Sequence, residues 1–288
     1  MYTKHWNLCE QPFLNVVDER LVFATEQHQE GLSRLIYLVE QGSMAGMLTG
    51  AYGVGKSLTL AQLHRHANKM RLPTIRVDAI PDGSLPLTRH ILRFIGINED
   101  YQTLPELLMA LQAYCQSGGR NLTRHLLLID EAHFLAHGDG FYLAHYFCNL
   151  RIPASSNRSE TPLFTLILAG TEELRQSVQN FESLRRRIQL DWHISPLTSE
   201  QTSNYVQHHM RACGGDIWSF SREALDAIYH YSQGIPRSIN NLCDTSLMLG
   251  FAAAATQVSL GIVEQAAHDT GLDSLLSASP VERNTPHD

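Results

Sequence analysis

The chain has 288 residues and a formal net charge of −7; 43% of its residues are hydrophobic and 18% charged. That is a globular composition with an ample core, and the sequence shows no internal repeat or low-complexity segment. The acidic balance argues against a surface built as a whole for nucleic acid, although a local basic patch remains compatible with it.

The first 25 residues read as an irregular lead-in anchored by Trp6 and Phe13. Met1 to Glu10 lacks the apolar core of a signal peptide. From Glu26 to Gln41, Leu32, Leu35, Ile36, Leu38 and Val39 recur at helical spacing, and Gly42 ends the helix. A first strand follows at Met44 to Leu48, then a glycine-rich turn, then a helix to about Lys69. Thr74 to Asp78 is a short strand. Leu87 to Ile95 and Leu104 to Tyr114 read as amphipathic helices, the second broken by Gly118-Gly119. His125 to Ile129 is a continuous apolar run, as expected of a strand buried on both faces. Phe141 to Leu150 reads as helix and Pro153 to Pro162 as a polar loop. A buried strand at Leu163 to Ala169, a helix at Glu172 to Val178 and an alternating strand at Ile188 to Ile194 complete the pattern. Strands alternating with helices predict a parallel sheet covered on both faces.

After Pro196 only helices are predicted: Ser199 to Ala212, Arg222 to Ser232, Pro236 to Ala253 and Leu260 to Ala267. The expected organisation is a nucleotide domain over 1–195 with its lead-in at 1–43, a helical lid over 196–270, and a disordered polar tail at 271–288. Leu247 to Val263 is the most apolar late stretch, but Thr256, Gln257 and Ser259 interrupt it, so no membrane span is expected. The cysteines Cys9, Cys115, Cys148, Cys213 and Cys243 are scattered, odd in number and without a C-x-x-C, and read as reduced, mostly buried thiols of a cytoplasmic protein.

The chemistry starts at Gly50-Ala51-Tyr52-Gly53-Val54-Gly55-Lys56-Ser57, which fits the phosphate-binding P-loop G-x-x-x-x-G-K-[ST] between a strand and a helix. Glycines let the backbone bring its N–H groups against phosphate oxygens. The helix running on through Leu58 adds unpaired N–H groups and a positive dipole end. Lys56 supplies a charge for the β- and γ-phosphates, and the Ser57 hydroxyl suits Mg²⁺. The second element is Asp130-Glu131, two carboxylates at the C-terminal end of a buried strand, where α/β proteins bind ligands. Asp130 is expected in the Mg²⁺ shell, and Glu131 is expected to orient or deprotonate a water. A glutamate directly after that aspartate argues against a small-molecule kinase, in which water activation would waste ATP.

Four further groups of residues carry open readings. Thr171 either contacts the γ-phosphate or the attacking water, or caps the next helix. Arg185, Arg186 and Arg187 are a solvated basic turn, a phosphate-backbone contact, or hold an arginine finger reaching a neighbouring subunit. Arg237 sits in the first turn of a helix, where a cation gains nothing from the dipole, so it either senses phosphate or forms a structural ion pair. His133, His137, Asp139 and His145 have some of the spacing of a metal site, but Gly138 and Gly140 predict a loop, and no metal is expected there.

On these residues the chain resembles the AAA+ ATPases of the general secretion pathway protein A (ExeA/GspA-like) group, within a wider set that includes transposition-associated ATPases. The likeness spans Met1 to about Thr270. It includes the opening to Gln11-Pro12-Phe13, Gly31 to Tyr37 before the P-loop, Leu168 to Leu174 as a sensor 1 segment, Leu184 to Ile188, and Gly234 to Asp244 as a sensor 2 helix. The group commonly has Gln where this chain has Thr171. The resemblance singles out Arg187 as the finger and Arg237 as a sensor. It implies a RecA-like fold, with the catalytic strand between the P-loop strand and its neighbours, and Mg-ATP bound between the two domains. It also implies hydrolysis stimulated by homo-oligomer assembly, as a ring or a filament. Two functional classes follow. One is an ATPase that drives or gates a macromolecular complex of the secretion or pilus type. The other is an ATP-dependent DNA-binding regulator that recruits transposition proteins to duplex DNA. Secretion-pathway members often continue into a membrane span, whereas this sequence ends after a short polar tail, which keeps the second class in view.

Overall fold

The computed structural model describes residues 2–16, 19–81, 83–98, 101–117, 122–154 and 159–273. The Gly118-Gly119 break, part of the serine-rich loop and the tail beyond Asp273 lie outside the described residues. The chain forms two compact units, one spanning Glu26–Ser195 and the other combining the residues up to Thr25 with those from Pro196 on.

The first unit is built on five parallel strands: β1 (Ala45–Gly50), β2 (Thr74–Asp78), β3 (His125–Asp130), β4 (Phe164–Gly170) and β5 (Ile188–Ile194). Their order is β2-β3-β4-β1-β5. Every residue of β1, β3 and β4 is buried, which explains why they read as unbroken apolar runs. The longer helices are α1 (Glu26–Glu40), α2 (Lys56–Lys69), α3 (Ser84–Phe94), α4 (Leu104–Gln116), α5 (Gly140–Asn149) and α6 (Glu172–Gln179). One core joins Leu35, Leu38, Leu60 and Leu63 of α1 and α2 to Leu48, Leu126, Leu128 and Ile167 of the sheet. A second joins Met47, Leu127, Ile129 and Leu168 to Ile91, Leu111, Phe147 and Leu174 of α3–α6. Neighbouring residues of one strand thus serve opposite cores, and this is the covered parallel sheet that the alternating pattern predicts.

Three details differ from the sequence reading. The acidic strand β3 does not adjoin the P-loop strand; β4 lies between them. The Pro153 to Pro162 region is not wholly loop, since Arg151–Ile152 and Thr161–Pro162 pair as a short antiparallel ladder. The lead-in belongs with the helices rather than with the nucleotide unit. Its aromatic anchors explain that placement, because a buried indole needs both an apolar bed and an acceptor. Trp6 Nε1 donates to Leu247 O at 2.9 Å, and Phe13 packs edge-on to Phe220 and stacks on His209.

The second unit holds α7 (Ser199–Ala212), α8 (Arg222–Ser232), α9 (Pro236–Ala252) and α10 (Leu260–Asp269). Thr198 and Gln201 form a reciprocal capping box on α7, Ser221 caps α8, and Pro236 opens α9. Gly234 has φ +70, and a Cβ there would stand 1.9 Å from Leu197 O, so only glycine permits that backbone approach.

His209 is 4% exposed, and one of its ring nitrogens bonds Pro12 O at 2.7 Å. The other is buried without a hydrogen bond. Burial, aided by His208, lowers its pKa from 6.5 to about 4, against the pull of the Pro12 carbonyl. The unfolded chain therefore takes up this proton at higher pH than the folded one, so the stabilisation is complete above about pH 6.5 and is lost as pH falls towards 4. His209→Asn retains a donor for Pro12 O without a titrating ring. We expect thermal melts of the variant to lose less stability between pH 7 and pH 5 than the wild type, and parallel pH dependences would refute the assignment.

Candidate nucleotide site

The P-loop connects β1 to α2 through three glycines at positive φ: Gly50 at 154, Gly53 at 81 and Gly55 at 109. At Gly50 a Cβ would lie 2.5 Å from Ile194 O, so β5 presses directly on the loop entrance. Gly55 begins α2 without a side-chain cap, which leaves first-turn N–H groups for an external acceptor. From α1, a ring nitrogen of His28 meets Val54 O at 3.0 Å and braces the outer side of the loop. His28 is a contributor that the motif alone does not signal.

Lys56 is 5% exposed, and its ammonium donates to Gly50 O and Ala51 O, each at 2.9 Å. A buried ammonium held by loop carbonyls is a charge already desolvated and aimed at the loop interior. Ser57 Oγ donates to Asp130 Oδ2 at 2.8 Å, and Asp130 is 4% exposed. Two oxygens in adjacent positions of an octahedral Mg²⁺ shell at about 2.1 Å stand about 3.0 Å apart, so this pair fits such a shell with little movement. No cluster of three or more His, Cys, Asp or Glu capable of holding a metal occurs among the described residues. Mg²⁺ bound through one carboxylate, a hydroxyl and substrate phosphates needs none. Arg76 of β2, which the sequence reading did not select, places a guanidinium nitrogen 3.5 Å from the same Asp130 oxygen.

Glu131 follows with φ 50 and ψ 33, a left-handed conformation that a non-glycine residue adopts only under constraint. Its backbone N–H donates to Asp130 Oδ1 at 3.0 Å. That turn takes Glu131 out of the strand's alternation, so the two carboxylates share one strand end. Glu131 Oε2 is buried without a hydrogen bond.

Thr171 stands at the N-cap position of α6, yet its side chain makes no cap bond, and its hydroxyl is buried without a partner. The capping alternative is therefore not realised. Among the three arginines, Arg186 pairs with Glu182 on the surface. Arg187 is half-buried, with an Nε that lacks a hydrogen bond. Its charge reaches α5: burial lowers the His145 pKa and Arg187 lowers it further, while burial pushes the Cys148 thiol up to about 12 against the pull of Arg187. Arg237 lies exposed in the first turn of α9, in the other unit. The residues with metal-like spacing take other partners: a ring nitrogen of His133 bonds the Tyr52 hydroxyl, His145 approaches Asn149, and Asp139 accepts from Ser84 Oγ. The five cysteines are free, four of them buried. Among the described residues no helix is long and apolar enough to cross a membrane.

Residues 39–178 match the family model AAA_22, an AAA domain. General secretion pathway protein A of Aeromonas hydrophila is 27% identical over 279 residues, a match covering 93% of this chain and 48% of that protein. The chain thus spans about half the length of this relative. Among solved structures, Drosophila ORC bound to DNA superimposes with a TM-score of 0.69 at 14% identity, covering 99% of this chain and 69% of that one. The Aeropyrum pernix ORC2 protein, solved as ADPNP-ADP complexes, gives 0.64 at 15% identity, covering 94% and 75%. At such identities the likeness is one of fold. An AAA domain thus matches residues 39–178 at the centre of the P-loop sheet, and the chain is similar along nearly its whole length to general secretion pathway protein A.

Proposed function

We propose that the chain binds and hydrolyses Mg-ATP and uses the cycle to drive or gate assembly of a macromolecular complex of the secretion type. The observation that carries this reading is the Ser57–Asp130 pair at 2.8 Å beside the buried Lys56, with Glu131 turned out of the strand next to it. Lys56 exchanges its two carbonyl partners for phosphate oxygens, and the P-loop amides take the rest of that charge. Ser57 and Asp130 would hold Mg²⁺, which would supply neutralisation of the phosphate charge. Glu131 accepts a proton from the attacking water, the water oxygen bonds to the γ-phosphorus, and the bond to the β–γ bridging oxygen breaks. The unpartnered Thr171 hydroxyl holds that water or the γ-phosphate. Arg187 serves as the finger to a neighbouring copy, and Arg237 reads the phosphate state from the helical unit.

The secretion role rests on the 27% identical relative, and the net charge of −7 favours a protein partner over a phosphate backbone. Turnover assayed with and without duplex DNA at two salt concentrations tests the transposition-type alternative: salt-sensitive, ATP-dependent assembly on DNA would replace the secretion reading.

Lys56→Ala is expected to abolish binding of a fluorescent ATP analogue, whereas Glu131→Gln should keep that binding and lose turnover by about 10²–10⁴-fold. The reverse pattern would overturn these roles. Because a finger supplied in trans contributes about 10³–10⁵ in rate, turnover per subunit should rise with protein concentration in the wild type and stay low in Arg187→Ala. A high rate independent of concentration would reject the assembly requirement.

A further inference from the structure

Two side chains beside the phosphate site, Tyr52 and His133, meet each other. Tyr52 occupies a variable P-loop position and is 55% exposed, yet its hydroxyl meets His133 Nε2 at 3.0 Å. The rings stand at 85° with centroids 5.9 Å apart, so the phenol tip rather than the ring face makes the contact. His133 is 4% exposed and lies in the short helical turn Ala132–Ala136 directly after Glu131. Phe134 packs against its ring at 4.3 Å between centroids. Gly170 makes room for this turn, since a Cβ there would approach His133 N to 3.2 Å.

The second imidazole nitrogen decides the matter. His133 Nδ1 is buried without a hydrogen bond and stands 3.5 Å from Glu131 Oε2, itself buried without one. Two complementary orphan atoms thus face each other just outside bonding distance, although burying either unpaired is unfavourable. Desolvation, then Glu131 and Glu173, raise the Tyr52 pKa, so the phenol keeps its proton and is able to donate. A phenol donating to Nε2 leaves the ring proton on Nδ1, the nitrogen that faces the carboxylate.

We infer that Tyr52 and His133 form a positioning relay for Glu131: Tyr52 fixes the imidazole tautomer, and His133 Nδ1–H grips Oε2 so that Oε1 takes the proton of the attacking water. His133 does not change protonation; the water proton goes to Glu131 as hydroxide bonds to the γ-phosphorus and ADP departs. Tyr52 and His133 are positioning residues, and the relay rests on the hydrolysis reading above.

The test compares ATP turnover, affinity for a fluorescent ATP analogue and melting temperature in the wild type, Tyr52→Phe, His133→Asn and His133→Gln. An asparagine amide reproduces the Nδ1 donor towards Glu131, whereas a glutamine amide reaches the Nε2 position and leaves Oε2 without its partner. His133→Gln should lower kcat by about ten- to a hundredfold, the range for partners that orient a reacting group, while analogue affinity stays within about twofold. His133→Asn should retain kcat within about threefold, and Tyr52→Phe should fall between the two. Equal losses in the two His133 variants, or a wild-type kcat in Tyr52→Phe, would overturn the relay. Tyr52 is exposed enough that its variant reads the relay even where a His133 variant fails to fold. A wild-type chain that binds the analogue but releases no phosphate would refute the hydrolysis reading instead.

Discussion

The hydrogen bond from Ser57 to Asp130 joins two segments 73 residues apart in the chain, and the rest of the nucleotide unit serves to hold it. Ser57 is placed by the first turn of α2, whose start depends on the left-handed Gly55. Asp130 is placed by β3, paired with β2 on one side and β4 on the other. The apolar run from Leu126 to Ile129 is buried at every position, so β3 cannot slip by one residue without exchanging its two cores. An oxygen pair suited to a hard cation is therefore held by hydrophobic packing on both faces of a sheet.

Around that pair the fold keeps groups in states that packing alone would not select. Glu131 is left-handed, Lys56 is buried on main-chain carbonyls, and Glu131 Oε2, His133 Nδ1 and the Thr171 hydroxyl are buried without hydrogen bonds. Unpaired buried polar atoms are uncommon in native proteins, and strain concentrates at sites that bind or react. Three such atoms stand together at the ends of β3 and β4. The Thr198–Gln201 and Thr103–Glu106 capping boxes, by contrast, close on themselves.

The helical unit follows a different logic. Its core is completed by the start of the chain, with Tyr2, Trp6, Leu8 and Phe13 buried among Val206, Met210, Phe220 and Leu247. Tyr2 donates to Asp244, and Cys9 N bonds Cys213 O at 2.9 Å. Burial of such side chains contributes on the order of 2–3 kcal/mol each. The nucleotide unit is thus inserted in sequence between the two parts of the helical one.

Local pattern alone determined much of this protein. The strand at Thr74–Asp78, the strand at Ile188–Ile194 and the helices at Ser199–Ala212 and Arg222–Ser232 were legible to the residue, because periodicity, N-caps and glycine breaks are properties of neighbouring positions. The P-loop and the acidic strand end were legible because their chemistry is carried by adjacent residues. Tertiary structure decided what depends on residues far apart. It put β4 between the P-loop strand and β3, since strand order follows from packing helices on both faces and not from any local signal. It carried the lead-in to the helices, because Trp6 and Phe13 show that they need burial but not where they find it. It brought Arg76 and His28 to the site, and it turned His133, which spacing offered only as a weak metal ligand, towards Tyr52 and Glu131. A side chain's chemistry is written in the sequence, but the partner it meets is set by the packing of elements that the sequence keeps apart.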